Sequence, residues 1–349
     1  MSLKPHRIPF SVTLLLILAV VLLLAIANLL IGSVDIPPAE ILRIIAGKGC
    51  ENQAWESIIL QSRLPMIATA LLSGAALSVS GLLLQTAFNN PLAGPSILGI
   101  STGASFGVAV VMLATGGTLG SIISQHAGFY FATILGAFVG AGIVLLALLF
   151  FSTLVHSATM LLIIGILVSY LASSAVSMLN FFATEEGVHS YVIWGLGNFS
   201  GVSVNQLPFF AISIFIALAG SALLVKPLNA LLLGTRYAEN LGVNTRRVRN
   251  ALLIITGLLT AIVTAFCGPI GFIGLVVPHI ARLVLNTSNH NRLIPATILS
   301  GAAVALLCTL ISVLPQSYGV IPINAITPII GVPIIIYIII NRRKIQYFN

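Results

Sequence analysis

Ten long apolar runs, almost free of charged residues, constrain this chain more than any other feature of its sequence. A helix that crosses a bilayer needs roughly 20 consecutive apolar residues, and most of these runs reach that length. The runs cover residues 10–32, 65–87, 96–114, 128–151, 159–182, 206–226, 249–267, 271–285, 294–314 and 323–341. They do not alternate polar and apolar residues as barrel strands would. We therefore predict an all-α polytopic membrane protein of about ten transmembrane helices.

The composition excludes an ordinary soluble fold. Of the 349 residues, 58% are hydrophobic and 6% are charged, whereas about a quarter of a soluble domain is charged. We expect a single membrane domain over residues 1–349. The first run is interpreted as a retained span, because it is longer than the apolar part of a signal peptide and no small-residue cleavage site is evident.

The basic residues predict the orientation of the spans. If the spans alternate from a cytoplasmic N-terminus, all Lys and Arg except Arg43, Lys48 and Arg63 lie inside, which is 12 of 15. The positive-inside rule favours this arrangement, with both termini cytoplasmic. The net charge of +8 is then a topology signal. Nucleic-acid binding is disfavoured because the bases are scattered and lack aromatic platforms, while anionic lipid headgroups are expected partners.

No catalytic, metal-binding or cofactor motif is found in the sequence. The three cysteines are isolated, and the adjacent pair Glu185 and Glu186 is interpreted as the solvated rim of an outer loop. We place the histidines at span ends or in loops, and we find no ionisable relay within the spans. Ion-coupled transporters usually place such groups at membrane depth. A secondary transporter and a membrane-embedded enzyme are therefore disfavoured, although both classes stay open.

Glycine and proline mark close packing and breaks. Gly99, Gly103 and Gly107 recur at four-residue spacing in the third run, and Gly136 and Gly140 in the fourth. Such spacing predicts close helix packing, and a small-residue face could also line a path for cargo.

Two clusters of proline and glycine are expected to break helices. The first, NNPLAGP at 89–95, is either an ordinary turn or a constriction at the inner end of a pathway. The second, GPIGFIG at 268–274, lies on the outer side by the predicted topology. Because the spans that precede the two clusters are five helices apart, the chain could contain an inverted repeat of two five-helix units.

The segment GTRYAENLGVNTRRVRN, residues 234–250, gathers four arginines in a chain otherwise poor in charge. Its first half predicts a short amphipathic helix that ends at Gly242, a residue type favoured just after a helix. Retention of this loop on the cytoplasmic side would by itself be enough to explain the arginines. The mixed polar and apolar pattern favours a docking element for a partner protein.

Four blocks of the sequence resemble one family, the FecCD-like permease subunits of type II ABC importers for iron-siderophores, haem and cobalamin. The blocks are RLPMIATALLSGAALSVSGLLLQTAFNNPLAGPSILGISTGASFG from residue 63, LLLGTRYAENLGV from 231, GPIGFIGLVVPHIARL from 268 and IPINAITPIIGVPIII from 321. The resemblance implies a homodimer in the bacterial inner membrane, two cytoplasmic ATPase subunits, and a periplasmic or lipid-anchored substrate-binding protein. An iron-siderophore is the expected cargo, with haem or cobalamin as the alternative.

The same resemblance assigns roles to particular residues. It implies a coupling loop at 227–248 that contacts the ATPase, with the key residues Gly234, Arg236, Ala238, Glu239, Leu241, Gly242, Arg246 and Arg247. It places a cytoplasmic gate at Leu92 and at the residues Ser157, Ala158 and Thr159. ATP and Mg²⁺ would be used by the partner ATPase, because this chain has no P-loop motif. We expect no catalytic residue, metal site or bound cofactor in this chain.

Docking of the binding protein is implied at Arg63 on the outer side. The chain departs from the family pattern at four positions where charged residues are common. These positions hold Met66, Thr309, Val313 and Val320. Docking through charge pairs is therefore expected to be reduced there, and the outer acids between residues 35 and 56, or Glu185 and Glu186, could contribute instead.

Overall fold

A computed structural model describes residues 9–50, 52–114, 126–155, 157–314 and 319–340, and within these ranges its regular structure is helical. The helices are α1 Phe10–Leu30, α2 Pro38–Ile45, α3 Gln53–Ser57, α4 Leu64–Ala87, α5 Ile100–Ala109, α6 His126–Leu154, α7 Ala158–Phe182, α8 Glu185–Gly195, α9 Leu207–Leu223, α10 Val225–Leu231, α11 Thr235–Asn240, α12 Thr245–Cys267, α13 Ile273–Leu285, α14 His290–Val313 and α15 Ile323–Ile340. A π-helical segment, Ile58–Arg63, leads into α4, and a second one, Val110–Ala114, continues α5.

Each of the ten predicted runs contains a helix, which confirms the all-α polytopic prediction. Among the described residues six helices are long and apolar enough to cross a membrane, and α9 with α10 forms a seventh candidate bent by 51°. Three shorter apolar helices, Ile100–Leu113, Ile273–Leu285 and Ile323–Ile338, correspond to the remaining runs. Three points stay predictions: all ten helices cross the bilayer, both termini are cytoplasmic, and the fold contains an inverted repeat.

The helix α4 lies at the centre of the fold. Of its apolar stretch 83% is buried, against 22% for α7 and 11% for α1. The helices α12, α13 and α14 pack around α4, and they share with it the largest cluster of buried apolar side chains. The helices α1 and α7 therefore lie at the periphery of the subunit, where lipid or another chain would cover them.

Glycine pairs set how closely the central helices approach. The α4 residues Gly74 and Gly81 face Gly301 of α14 and Gly274 of α13, and a Cβ added at Gly81 would overlap the Gly274 carbonyl. Small residues at a crossing let two backbones approach within van der Waals contact. At these crossings there is no space for an added side chain.

The close packing predicted for the third and fourth runs is confirmed. Gly103 and Gly107 of α5 lie against Gly140 and Gly136 of α6. The first member of the predicted series behaves differently, because Gly99 precedes α5 with a φ of +81° and lies against Ser169 of α7. Its role is to start the helix, and its positive φ explains the glycine.

His279 was predicted at a span end or in a loop but lies inside α13, whereas Arg282, in the last turn of α13, and His290 lie at helix ends as predicted. All three side chains are at most 3% exposed. The physical reason is that their polar partners are on other helices. Gln85 of α4 contacts both α13 residues, and Thr86 Oγ1 lies 2.9 Å from His290 Nε2.

Candidate functional site

A cavity of about 560 Å³ runs along α5 and is bordered by the turn at residues 88–99, by α7 and by the start of α15. Hydroxyl groups line much of it. They belong to Ser96, Ser101, Thr102, Ser105, Ser173, Ser177 and Tyr191. None of the described lining residues is charged. The cavity therefore offers uncharged hydrogen-bonding groups, which lipid tails would not supply.

Tyr191 of α8 lies at one end of this cavity, outside the membrane-spanning helices. Burial raises the pKa of the Tyr191 hydroxyl above its ordinary value, an effect partly offset by a hydrogen bond with Ser105. The group is thus neutral at physiological pH. It adds a polar atom to the wall of the cavity without adding charge.

The second proline and glycine cluster borders the same end of the cavity, and Asn324 of α15 holds it in place. The Asn324 side-chain nitrogen donates to the Gly195 carbonyl at 3.0 Å and to the Pro269 carbonyl at 2.5 Å. Its oxygen accepts from the Gly271 backbone N–H at 3.1 Å. This broken segment is therefore satisfied by protein groups, as non-helical backbone near a membrane must be.

The inner turn, residues 88–99, connects α4 to α5 and presents Leu92 at the surface with 42% of the side chain exposed. The Leu92 N–H donates to the Asn90 side chain at 2.9 Å. Further along, Ala93, Gly94 and Pro95 are buried. The turn is thus anchored on one side and leaves Leu92 projecting, which suits the predicted gate. The gating role itself stays a prediction.

The other predicted gate segment begins α7. The Ser157 side chain accepts a hydrogen bond from the Met160 backbone N–H at 3.4 Å and so caps the helix. Ala158 is half-buried against the core, and Thr159 is exposed. Ala158 lines a cavity of about 210 Å³ together with Glu239 and Arg246 of the coupling loop, and Leu92 is not among the described residues around it.

The coupling loop forms the short helix α11, and Gly242 follows its end with a φ of +82°, which confirms the predicted helix and its stop. Gly234, which precedes α11, has a φ of +102°. Open space surrounds both glycines, so backbone conformation rather than packing requires them. Ala238 is fully buried on the protein-facing side of α11, while Tyr237 and Leu241 are more than half exposed.

The charged groups of this loop divide into two sets. Glu239 accepts a hydrogen bond from the Thr245 hydroxyl at 2.8 Å, which ties α11 to the start of α12. Arg246 donates to the Thr153 carbonyl at 2.9 Å, at the end of α6. Arg236 and Arg247 are exposed at the surface. A partner would therefore meet Arg236 and Arg247, with Tyr237 and Leu241 beside them.

Arg249 has a structural role that the sequence did not indicate. It donates to the Ser152 carbonyl at 2.7 Å and the Val155 carbonyl at 3.1 Å. These carbonyls end α6 and have no partner within that helix. Together Arg246 and Arg249 join the coupling loop to the segment that leads into α7. In the sequence, Arg249 was visible only as one more arginine of the segment NTRRVRN, residues 244–250.

Arg63, the predicted docking residue, is 4% exposed. Its guanidinium donates to the Leu29 carbonyl at 2.6 Å, to the Leu30 carbonyl at 3.2 Å, and to the Val34 carbonyl. It thereby satisfies the C-terminal end of α1. The structure gives Arg63 a task inside the subunit, and its docking role stays a prediction.

The structure brings Arg63 together with all four positions where the family pattern is broken. A cavity of about 440 Å³, on the side predicted to be outer, is lined by Arg63, Met66, Thr309, Val313 and Val320, among other residues. These positions are far apart in the chain but form one recess. Since apolar residues dominate it, contacts there would be mainly apolar.

Comparison with known proteins decides the family. The model of the FecCD transport family matches residues 17–341. The chain belongs to the FecCD transport family. It is accordingly an ABC importer permease and a multi-pass protein of the bacterial plasma membrane.

Relatives of this FecCD permease match over nearly their full lengths. It is 34% identical to the vitamin B12 import system permease protein BtuC of Klebsiella pneumoniae, over 97% of this chain and 95% of the relative. It is also 34% identical to the molybdate import system permease protein MolB of Haemophilus influenzae, over 94% of each chain. A solved metal-chelate type ABC transporter in an inward-facing conformation has a TM-score of 0.78 at 30% identity, covering 95% of this chain and 98% of its own.

Proposed function

We propose that this FecCD permease forms, as a homodimer, the membrane path of an ATP-driven importer of a metal chelate. The observation that carries the proposal is the hydroxyl-lined cavity along α5 and α7. A volume of about 560 Å³ lies within the range of sites that enclose organic ligands. Its neutral wall can pass a bulky cargo through many weak contacts without trapping it by charge.

An iron-siderophore is our first proposed cargo, and haem or cobalamin is the alternative. Cobalamin is supported by the similarity to the vitamin B12 permease. A small oxyanion is supported by the similarity to the molybdate permease, although the described residues around the cavity supply no cation. Binding measurements with the partner substrate-binding protein would separate the chelates, since that protein selects the cargo before it reaches the membrane.

The surface of α7 supports the homodimer. Leu167, Tyr170, Leu171 and Met178 are more than half exposed in the single subunit, and the exposed serines 173 and 177 lie on the same helix. Lipid would cover the apolar groups but would leave the hydroxyls against hydrocarbon. A second copy of this subunit would cover the apolar groups by helix packing, and a water-filled path between the two copies would hydrate the serines.

Two ATPase subunits are proposed to dock on the coupling loop, and a substrate-binding protein on the outer recess around Met66. Arg236 and Arg247 supply charge at the inner surface, with Tyr237 and Leu241 as apolar anchors. Aromatic and arginine residues are the types that most often dominate binding energy at interfaces. The outer recess is expected to receive apolar side chains of the binding protein.

Blocking the cavity tests the proposed path. We expect the Ser177→Trp variant to lose ATP-driven uptake, because the indole would fill space that Ser177 borders. Co-purification with the ATPase should be unchanged. Ser213→Trp on α9 is the matched control, since Ser213 lies outside this cavity, and it should transport normally. Wild-type uptake by the Ser177→Trp transporter would reject the path along α7.

A further inference from the structure

A buried polar network joins the inner turn, residues 88–99, to α13. Neither the family resemblance nor the proposed function assigns a role to its side chains. Its members are Gln85 of α4 and His279 and Arg282 of α13, each at most 3% exposed. We propose that this network positions the turn that carries Leu92, so that the inner end of the path closes in one defined place. The inference rests on the proposed function, in which Leu92 is the gate.

Arg282 fixes the orientation of the Gln85 amide. Its guanidinium donates to Gln85 Oε1 at 2.5 Å, and Gln85 Nε2 donates to the Leu275 carbonyl at 3.1 Å. The reversed amide would direct its oxygen at the Leu275 carbonyl and its amino group at the guanidinium, which are both repulsive. Gln85 thus binds α13 at two points one turn or more apart, just before α4 ends at Ala87.

His279 completes the connection to the turn. Its Nε2 lies 2.7 Å from the Pro91 carbonyl oxygen, and a carbonyl only accepts, so Nε2 carries the proton and donates. The same nitrogen lies 3.4 Å from Gln85 Nε2, which is also a donor. That second contact is therefore packing and not a hydrogen bond. The Pro91 carbonyl belongs to the residue directly before Leu92.

Packing contacts hold the turn in the same position. Pro95 lies against Gly274, where an added Cβ would approach the proline ring to 2.9 Å, and Gly94 faces Leu275. The end of the second proline and glycine cluster therefore lies beside the turn, and not on the opposite side of the protein as predicted. Within the turn the hydrogen bonds are local, such as that from the Ala93 N–H to the Asn90 carbonyl at 3.1 Å. Apolar contact can slide, whereas a hydrogen bond requires a defined distance and angle. His279 is therefore the element that fixes where Leu92 projects.

Two variants of His279 separate positioning from general stability. His279→Gln keeps a donor at nearly the position of Nε2, and His279→Leu removes the donor while keeping an apolar volume. Losing one buried hydrogen bond of this kind shifts a local equilibrium by about tenfold. We expect His279→Leu to raise the ATP hydrolysed per cargo imported and His279→Gln to restore the wild-type ratio. Should the leucine variant not assemble, His279→Met tests the same loss with a more adaptable side chain.

A nitroxide at position 92 reports the turn directly. The measurement uses the complete transporter with a Cys50→Ser, Leu92→Cys chain, since Cys50 is partly exposed and Cys267 and Cys308 are buried. With His279→Leu the label should become more mobile, while a label at position 241 in the coupling loop should not change. Equal mobility at position 92 in all variants, or a glutamine variant as impaired as the leucine variant, would overturn the inference.

The two proposals fail separately. If the unaltered transporter shows no ATP-driven uptake, the proposed function is wrong, but the label at position 92 still tells whether His279 holds the turn. If uptake is normal and the mobility of the label does not change when His279 is replaced, the network is only part of the packed interior.

Discussion

The Gly81→Ala variant is expected to lose the folded state of the permease or to fold with greatly reduced stability. The added Cβ would overlap the Gly274 carbonyl, where α4 crosses α13. Backbone cannot rotate away as a flexible side chain can, so both helices would have to separate. Overpacking of this kind costs about 3 kcal/mol or more. We expect the unfolding midpoint, followed by reaction of a thiol dye with the buried cysteines 267 and 308, to fall by roughly 5 °C or more.

The matched control is Gly142→Ala, the same change at a helix-interior glycine of α6 that has open space beside it. Alanine favours a helix over glycine by roughly 0.5–1 kcal/mol, so this variant should be as stable as the unaltered protein or slightly more so. If the two alanine variants unfold at the same temperature, the close crossing of α4 and α13 is wrong.

The second large effect is expected from Arg236→Glu, which should abolish co-purification with the ATPase subunit and ATP-driven uptake. Arg236 lies on α11 beside the exposed Tyr237, while Ala238 fixes the opposite face of the helix in the protein. Reversing a charge replaces attraction by repulsion, and a like-charge contact at an interface costs several kcal/mol. Pull-down with the tagged ATPase measures the loss.

Arg292→Glu is the control for Arg236→Glu, because Arg292 is an exposed arginine outside the coupling loop. It should assemble and transport normally. Arg246→Glu is a less specific variant, since Arg246 also bonds the Thr153 carbonyl at the end of α6. Assembly that survives Arg236→Glu but not Arg292→Glu would move the docking surface away from α11.

The sequence predicted what depends on neighbours along the chain. Apolar runs located the helices, Gly242 located the end of α11, and the spacing of Gly103 and Gly107 located a close crossing. Each of these signals is local, because hydropathy, helix stops and four-residue spacing act within a few turns of one helix. The family was then predicted from a resemblance to sequence motifs that are spread over the chain.

What the sequence could not predict depends on partners distant in the chain. Arg282 was counted only as one of the cytoplasmic bases, although Gln85, which is 197 positions away, accepts its hydrogen bond inside the fold. Arg63 was expected at the surface but satisfies carbonyls at the end of α1. The sequence did not predict a role for the serines 173 and 177, because apolar spans tolerate single hydroxyls. They line the cavity only because α5 packs against α7.

The measurement that tests the central claim most directly is cargo uptake into liposomes containing this chain alone, and containing it with its ATPase and binding protein. Without the partners, no accumulation against a gradient is expected, whether or not a proton or sodium gradient is imposed. With the partners and ATP, cargo should accumulate. Accumulation by the chain alone under an ion gradient would contradict the account and identify a secondary transporter.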